Sequence, residues 1–218
     1  MKQILSILAF LLTSLVSNSQ NLMSPSEFLG YDIGTQFSRH HRVVDYFQYV
    51  AAQYPDQVSF NQYGSTYEGR PLFLATVSSK KNMTQIEAIR QTHLAQAEST
   101  ENTESNIGVV WLSYNVHGNE ASSTEASMQT LYELLSQHQD YLVSAVVLID
   151  PCVNPDGRDR YANWFNQQTG SSYDKDPQSI EHSEPWPGGR PNHYLFDLNR
   201  DWTWASQIET QSRLKEYH

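Results

Sequence analysis

The architecture of the chain can be predicted from one apolar run, IGVVWLSYNV at residues 107–116. Near-continuous apolar character is typical of a strand buried inside a sheet. The run leads directly into HGNE at residues 117–120, and a helical pattern follows over residues 121–135. A second apolar strand is predicted at residues 145–150. Strand, helix and strand in this order form a βαβ unit, so we predict an α/β fold.

The segments on either side extend this prediction. Residues 39–53 carry apolar side chains at helical spacing, and residues 58–63 and 72–77 have the character of two strands joined by a turn-rich hairpin connection. We therefore predict a mixed, largely parallel central sheet with helices on both faces. Residues 163–192 are rich in Gln, Ser, Gly, Pro and Asp and predict a long loop, and residues 205–217 predict a final helix.

The start of the chain predicts export. Lys2 precedes an apolar run from Ile4 to Val16, and small residues follow up to Ser19, so residues 1–19 are interpreted as a signal peptide. The run is shorter than the roughly 20 residues that a membrane-spanning helix needs, although an uncleaved anchor is the alternative. We expect one domain over residues 20–218, secreted or periplasmic and without stable membrane insertion.

The composition narrows the class of protein. The chain has 218 residues, 39% of them hydrophobic, which favours a folded domain. A formal net charge of −10 and the lack of a basic stripe argue against nucleic acid as a partner. The single cysteine, Cys152, excludes an internal disulfide and is predicted to be a small buried residue.

His117 and Glu120 form the first candidate site, because they lie where a predicted strand ends and a helix begins. Ligands of α/β proteins bind at the carboxyl ends of strands. An imidazole nitrogen and a carboxylate oxygen both suit Zn²⁺. The alternative is a solvated helix start at which Glu120 complements the helix dipole.

Two further groups lie later in the chain. The sequence NPDG at residues 154–157 predicts a tight turn, and it is followed by Arg158 and Arg160, whose guanidinium groups could stabilise a developing oxyanion. Asn199 and Arg200 combine an amide with a bidentate cation, which is a good pair for a carboxylate. The alternative for this second group is a surface strand end with a structural Arg–Asp pair.

Taken together, these motifs resemble the zinc carboxypeptidase family. The resemblance runs from about Tyr63 to Trp202, in the order of the family, and is specific because several separate motifs agree. The matching stretches are YGSTYEGRPL at residues 63–72, HGNE at 117–120, NPDG at 154–157 and DLNRDW at 197–202.

The resemblance implies a role for individual residues. His117 and Glu120 match the first two zinc ligands, and Asp197 matches the carboxylate that orients the ligand histidine. Asn199 and Arg200 match the pair that holds the C-terminal carboxylate of the substrate.

The resemblance also implies the reaction, which is hydrolysis of the C-terminal peptide bond of peptides or proteins by zinc-activated water. The oxyanion-stabilising arginine of the family follows the NPDG motif, and Arg160 is favoured here over Arg158. Two other functions remain open. One is a zinc amidohydrolase acting on small acylated amino acids or cell-wall peptides, and the other is a non-catalytic binding domain.

The chain departs from the family pattern after Trp202. The family has a third zinc ligand, a His, and later a Tyr and a general-base Glu, which we expect beyond residue 218. We therefore interpret the chain as the N-terminal part of the catalytic domain, incomplete at its C-terminus. We expect residues 20–218 alone to bind zinc weakly and to be inactive, because a site with two protein ligands lacks the third ligand that completes it.

Overall fold

The computed structural model describes residues 22–98, 105–170 and 173–217. The predicted signal peptide lies outside the described residues. The helices are α1 (Pro25–Leu29), α2 (His40–Gln53), α3 (Lys80–Met83), α4 (Ile86–Ala97), α5 (Ser122–Ser136), α6 (Tyr141–Ser144), α7 (Pro155–Gln168) and α8 (Ile208–Tyr217). The strands are β1 (Val58–Ser65), β2 (Pro71–Val77), β3 (Gly108–Ser113) and β4 (Ala145–Asp150), and short 3-10 turns lie at Ile180–His182 and Leu198–Arg200. None of the helices in these ranges combines the length and apolar character needed to cross a bilayer.

The four strands form one sheet in the order β1-β2-β4-β3. β1 and β2 form the predicted antiparallel hairpin, β2 lies antiparallel to β4, and β3 lies parallel to β4 across the helical crossover. The α/β class and the mixed sheet are thus confirmed. Among the described strands, however, only one of these pairings is parallel, because the hairpin inserts its second strand beside β4 in the opposite direction.

Helices cover both faces of the sheet, as predicted. On one face, Phe47 of α2 and Leu131 of α5 belong to the same buried core as Phe73 and Ile149 of the sheet. On the other face, α8 contacts β1, and a cavity of about 330 Å³ separates α4 from the outward side chains of the sheet.

β3 is less buried than its apolar sequence predicts. Val109 and Val110 are both 44% exposed. The strand order explains the difference, because β3 lies at one edge of the described sheet and pairs only with β4. Edge position depends on the whole topology, so a local apolar pattern cannot reveal it.

The NPDG motif begins a helix, so the prediction of a simple turn there was wrong. Pro155 occupies the first turn of α7, and the side chain of Asn154 caps the helix by accepting a hydrogen bond from the N–H of Gly157 at 3.0 Å. Asn before Pro is a favourable helix start, since Asn satisfies a free N–H and Pro has none. The predicted loop therefore begins only after Gln168.

Candidate active site

Asn115 holds the loop that carries the two candidate zinc ligands. Its φ is 54°, in the left-handed region that Asn tolerates better than most residues. Its Nδ2 donates to the backbone oxygens of His117 and Glu120, each at 3.0 Å. Buried Cys152 donates through Sγ to Oδ1 of Asn115 at 3.2 Å. The prediction that Cys152 is a buried structural residue is thus confirmed, and Asn115 is a site residue that the sequence analysis missed.

His117 lies between two carboxylates. Its Nδ1 is 2.9 Å from Oε1 of Glu120, and its Nε2 is 3.0 Å from Oδ1 of Asp197. The side chain of His117 is only 8% exposed, whereas Glu120 is 59% and Asp197 27% exposed. The structure therefore brings together the three residues that the sequence analysis placed at the metal site, with a buried imidazole between two more exposed carboxylates.

Asp197 also pairs with a cation that the sequence analysis did not select. Arg190 Nη2 lies 3.0 Å from Oδ2 of Asp197, and the N–H of Asn199 donates to Oδ1 at 2.9 Å. Partial burial acts to raise the pKa of Asp197, but hydrogen bonds from His117, Arg190 and Asn199 outweigh it and lower the pKa. Asp197 is therefore held as an anion beside the imidazole.

Three glycines let the site loops approach one another closely. A Cβ on Gly118 would lie 2.1 Å from the carbonyl carbon of Gly157 and 2.4 Å from the carbonyl oxygen of Gly189. A Cβ on Gly157 would lie 2.3 Å from the same oxygen of Gly189. The His117 loop, the start of α7 and the loop before Asp197 are thus packed backbone against backbone.

The two arginines of α7 have different environments. Arg158 is fully buried, and its Nη2 lies 2.7 Å from Oε1 of Glu125. Arg160 donates to the carbonyl oxygens of Gly188 at 2.9 Å and Asn192 at 3.1 Å. In the described part of the chain, no hydrogen bond joins Arg160 to His117, Glu120 or Asp197. Both arginines therefore make structural contacts here, and the oxyanion role predicted for Arg160 stays a prediction.

Asn192 fixes the loop that leads to Asp197. It is fully buried, and its Oδ1 accepts hydrogen bonds from the N–H groups of Tyr194 at 3.1 Å and Phe196 at 3.0 Å. Its Nδ2 donates to Gln207 at 2.9 Å and Glu209 at 3.2 Å, which ties the loop to the start of α8. This connection was also absent from the sequence analysis, because it depends on contacts across the loop.

Asn199 and Arg200 lie in the 3-10 turn that follows Asp197, and both are exposed. In the described residues, Arg200 forms no ion pair; its Nη1 donates weakly to the carbonyl of Asn199 at 3.4 Å. The pair predicted to bind a carboxylate is therefore separated from Asp197 by only Leu198, and its guanidinium is accessible to a ligand.

A second group with metal-ligand atoms lies at the start of α7, around Asp156. Ligand-type atoms of Glu68, Asp156 and His193 lie within 4.8 Å of one another. Arg70 already bridges the carboxylates: its Nη1 lies 2.5 Å from Glu68 and 2.8 Å from Asp156, and its Nε lies 2.7 Å from Asp159. A guanidinium thus supplies the positive charge in this cluster, which links the YGSTYEGRPL segment to the start of α7.

The residues around His117 fit zinc. Imidazole nitrogen and carboxylate oxygen are ligand types that zinc takes in proteins, and the facing atoms of His117 and Glu120 are 2.9 Å apart. Asp197 bonds the opposite ring nitrogen, as a carboxylate commonly does beside a zinc-binding histidine. This donor set would provide two direct ligands and one orienting residue.

Comparisons with known proteins agree with this geometry. The family model described as zinc carboxypeptidase matches residues 43–217. Carboxypeptidase A from Helicoverpa armigera aligns with a TM-score of 0.53 at 15% identity, over 98% of this chain and 49% of that one. A metallo-carboxypeptidase from Burkholderia cenocepacia aligns with a TM-score of 0.51 at 18% identity, over 84% and 38%. Bovine thrombin-activatable fibrinolysis inhibitor, in complex with tick carboxypeptidase inhibitor, aligns with a TM-score of 0.50 at 16% identity, over 83% and 55%.

At these identities the solved structures support the fold alone. The chain spans about half of the Helicoverpa and bovine chains and less of the Burkholderia one.

Proposed function

Because the chain belongs to the zinc carboxypeptidase family, we propose that the protein is a zinc-dependent metallocarboxypeptidase that hydrolyses the C-terminal peptide bond of peptides or proteins. The observation that carries the proposal is the position of His117, with Glu120 at one ring nitrogen and Asp197 at the other. Bound zinc would supply polarisation of the scissile carbonyl and a water of lowered pKa.

Asp197 selects the form of His117 that can bind a metal. Its anionic carboxylate accepts a hydrogen bond from Nε2, so the ring proton resides there. With zinc bound, the lone pair of Nδ1 would then be available to the metal on the side of Glu120. The two atoms that would hold zinc are thus prepared by a third residue, which also fixes the orientation of the ring.

Asn199 and Arg200 are proposed to hold the C-terminal carboxylate of the substrate. Both side chains are exposed, and a guanidinium with an adjacent amide can bind a carboxylate through several charge-assisted hydrogen bonds. They follow Asp197 by two and three positions in the chain, so we propose that a carboxylate bound there lies a short distance from the zinc ligands. Such a distance selects the last peptide bond of a chain.

Arg190 is proposed as the guanidinium closest to the reacting carbonyl. It lies 3.0 Å from Asp197, which in turn contacts His117, and it is half exposed. Arg160 donates to the carbonyl oxygens of Gly188 and Pro191, on either side of Arg190, so we propose that it also positions this loop, while its own oxyanion role stays a prediction. A cation beside the carbonyl stabilises charge that develops on its oxygen.

Three further parts of the proposal stay predictions. The third zinc ligand and the general-base Glu are expected from the family resemblance. Export through residues 1–19, to a secreted or periplasmic location, is proposed from the sequence of that segment. Peptide and protein C-termini are the proposed substrates.

The proposal is tested with the full-length protein, by measuring zinc content together with cleavage of a peptide that has either a free or an amidated C-terminus. We expect one zinc per chain, cleavage of the free acid, and little cleavage of the amide, because the amide lacks the charge that Arg200 binds. His117→Ala should lose zinc and activity. His41→Ala, at an exposed position on α2, should retain both.

Equal zinc content in His117→Ala and the parent protein would overturn the assignment of the metal site. Cleavage of an acylated amino acid or a cell-wall peptide, with no cleavage of ordinary peptides, would favour the amidohydrolase. Zinc binding without any hydrolysis would favour a binding domain.

A further inference from the structure

A pocket of about 290 Å³ lies beside the proposed active site and plays no part in the mechanism above. It is formed by α7 and by the segment that leads to the 3-10 turn Ile180–His182. Asn119 lines it and lies in the loop between His117 and Glu120. The pocket therefore shares a wall with the candidate zinc ligands.

The walls of this pocket are largely aromatic. The rings of Tyr161 and Trp164 have centroids 5.6 Å apart, and the ring of Phe37 lies 5.6 Å from that of Tyr161 and 4.7 Å from that of Phe165. Tyr173 lines the remaining side. Faces of Trp, Tyr and Phe attract cations through the negative charge of their π systems.

Two carboxylates also line the pocket. Glu181 is only 4% exposed, and its Oε1 accepts a hydrogen bond from the N–H of Asp174 at 2.8 Å. Oε2 of Glu184 accepts from Nδ2 of Asn119 at 2.9 Å, and its other oxygen accepts from the N–H of Gly189. Among the described residues, neither carboxylate forms an ion pair.

The cationic side chains nearby do not neutralise the carboxylates of Glu181 and Glu184. Arg158 lies over the ring of Phe37 at 5.4 Å, but its charge is matched by Glu125. His182 also lines the pocket, and its Nε2 faces the backbone oxygen of Asp174 at 2.8 Å. A buried carboxylate without a counterion is costly in a folded protein, so the pocket is suited to receive a cation.

We propose that this pocket binds the cationic side chain of a Lys or Arg residue in the substrate peptide. The proposal rests on the proposed carboxypeptidase function, since it assigns the pocket to the same substrate. Its volume is at the lower end of the range for small-molecule sites, which suits one long side chain. The alkyl part of Lys or Arg would pack on the rings, and its charge would face Glu181 and Glu184.

The test uses two probes of nearly equal shape, Nα-acetyl-L-arginine amide and neutral Nα-acetyl-L-citrulline amide. Binding to the full-length, zinc-free protein is followed by NMR of the Trp164 indole N–H, assigned as the signal missing in Trp164→Phe. We expect saturable shifts with the arginine probe, and binding of the citrulline probe about tenfold weaker, because a charge-assisted contact is lost.

Glu181→Gln and Glu184→Gln each retain a hydrogen-bond acceptor and remove one charge. Each should weaken binding of the arginine probe by about tenfold. Glu98→Gln, at an exposed position after α4, should leave the affinity for this probe unchanged. In the full-length enzyme, the kcat/KM advantage of an Arg peptide over its citrulline analogue should fall in both pocket variants.

Equal affinity of the two probes, or unchanged affinity in both pocket variants, would overturn the proposal. Because the NMR titration needs no zinc and no turnover, failure here leaves the zinc test of the main function unaffected. Conversely, loss of the arginine probe in His117→Ala but not in the pocket variants would place the cation at the metal site.

Discussion

Gly118 and Gly157 are in backbone contact, although they lie in different motifs of the sequence. A Cβ on Gly118 would fall 2.1 Å from the carbonyl carbon of Gly157 and 2.2 Å from the nitrogen of Arg158. Neither of these atoms belongs to a flexible side chain. The HGNE loop and the start of α7 are thus held at a separation that only glycine permits.

We expect Gly118→Ala to destabilise the fold by about 3 kcal/mol, because overpacking against rigid backbone typically costs 1–3 kcal/mol. It should also lower zinc affinity by shifting His117. Urea unfolding measures the first effect, and competition with a chromophoric chelator measures the second. Gly170→Ala is the control, since nothing lies within 4 Å of its Cβ position. A fully stable Gly118→Ala protein would contradict the close packing.

Asp197→Ala should weaken zinc binding by about 10- to 100-fold, which is the usual loss when the partner of a ligand histidine is removed. The cause is loss of the bond that fixes the orientation and tautomer of His117. Chelator competition on the full-length protein gives the measurement. Asp45→Ala, exposed on α2, should leave affinity unchanged. An unchanged affinity in Asp197→Ala would show that Glu120 alone orients the ring.

Arg158→Met should destabilise the protein by about 3–5 kcal/mol, because it leaves Glu125 as a buried, uncompensated charge. Adding Glu125→Gln should recover part of the loss. Arg90→Met provides the comparison and should cost much less stability, since its pair with Glu87 is solvent-exposed and screened by water. Urea unfolding at neutral pH measures all three. If Arg158→Met and Arg90→Met lower the free energy of unfolding equally, the buried pair contributes no more to stability than the exposed one.

Asp150 should make stability fall as the pH rises from about 5 to 8. Burial raises its pKa to about 7, while Arg213 and a hydrogen bond from Tyr63 act in the opposite direction. The folded state therefore holds a proton that the unfolded chain has already released. The resulting loss amounts to as much as about 3 kcal/mol over that range.

Asp150→Asn isolates this effect. His40 acts in the opposite sense, because burial lowers its pKa to about 4 and its contribution is lost as the pH falls. The measurement is therefore the difference in unfolding free energy between the parent protein and Asp150→Asn at pH 5 and pH 8. That difference should shift in favour of the variant at pH 8. A difference independent of pH would refute the raised pKa of Asp150.

The parts of the fold that sequence predicted well are those determined by neighbours in the chain. The β1–β2 hairpin follows from two apolar strands around a turn, and β4 was predicted with the bounds observed, Ala145–Asp150. α7 was missed, although its signal was local, because NPDG was interpreted as a turn and not as a capped helix start. The exposure of β3 depends on strand order and could not be seen locally.

At the candidate site, too, local motifs identified some residues, while others depend on contacts across the fold. His117, Glu120 and Asp197 were identified through motifs and are brought together by the fold. Arg190 and Asn115 were not identified from the sequence, because Arg and Asn are common in loops. Only their contacts in the folded structure distinguish these two residues. Arg160 was selected by its position after NPDG; its guanidinium donates to the carbonyls of Gly188 and Asn192, and its oxyanion role stays a prediction.

The separation of His117 from Asp197, 80 positions along the chain, has a consequence for biosynthesis. At a synthesis rate of roughly 5–20 residues per second, Asp197 is added about 4–16 s after His117. During that interval the imidazole has Glu120 nearby but lacks the carboxylate that sets its tautomer. At the proposed metal site, an ion can therefore be bound with the ring fixed by Asp197 only late in synthesis or after release, when the loop held by Asn192 has brought Asp197 to His117.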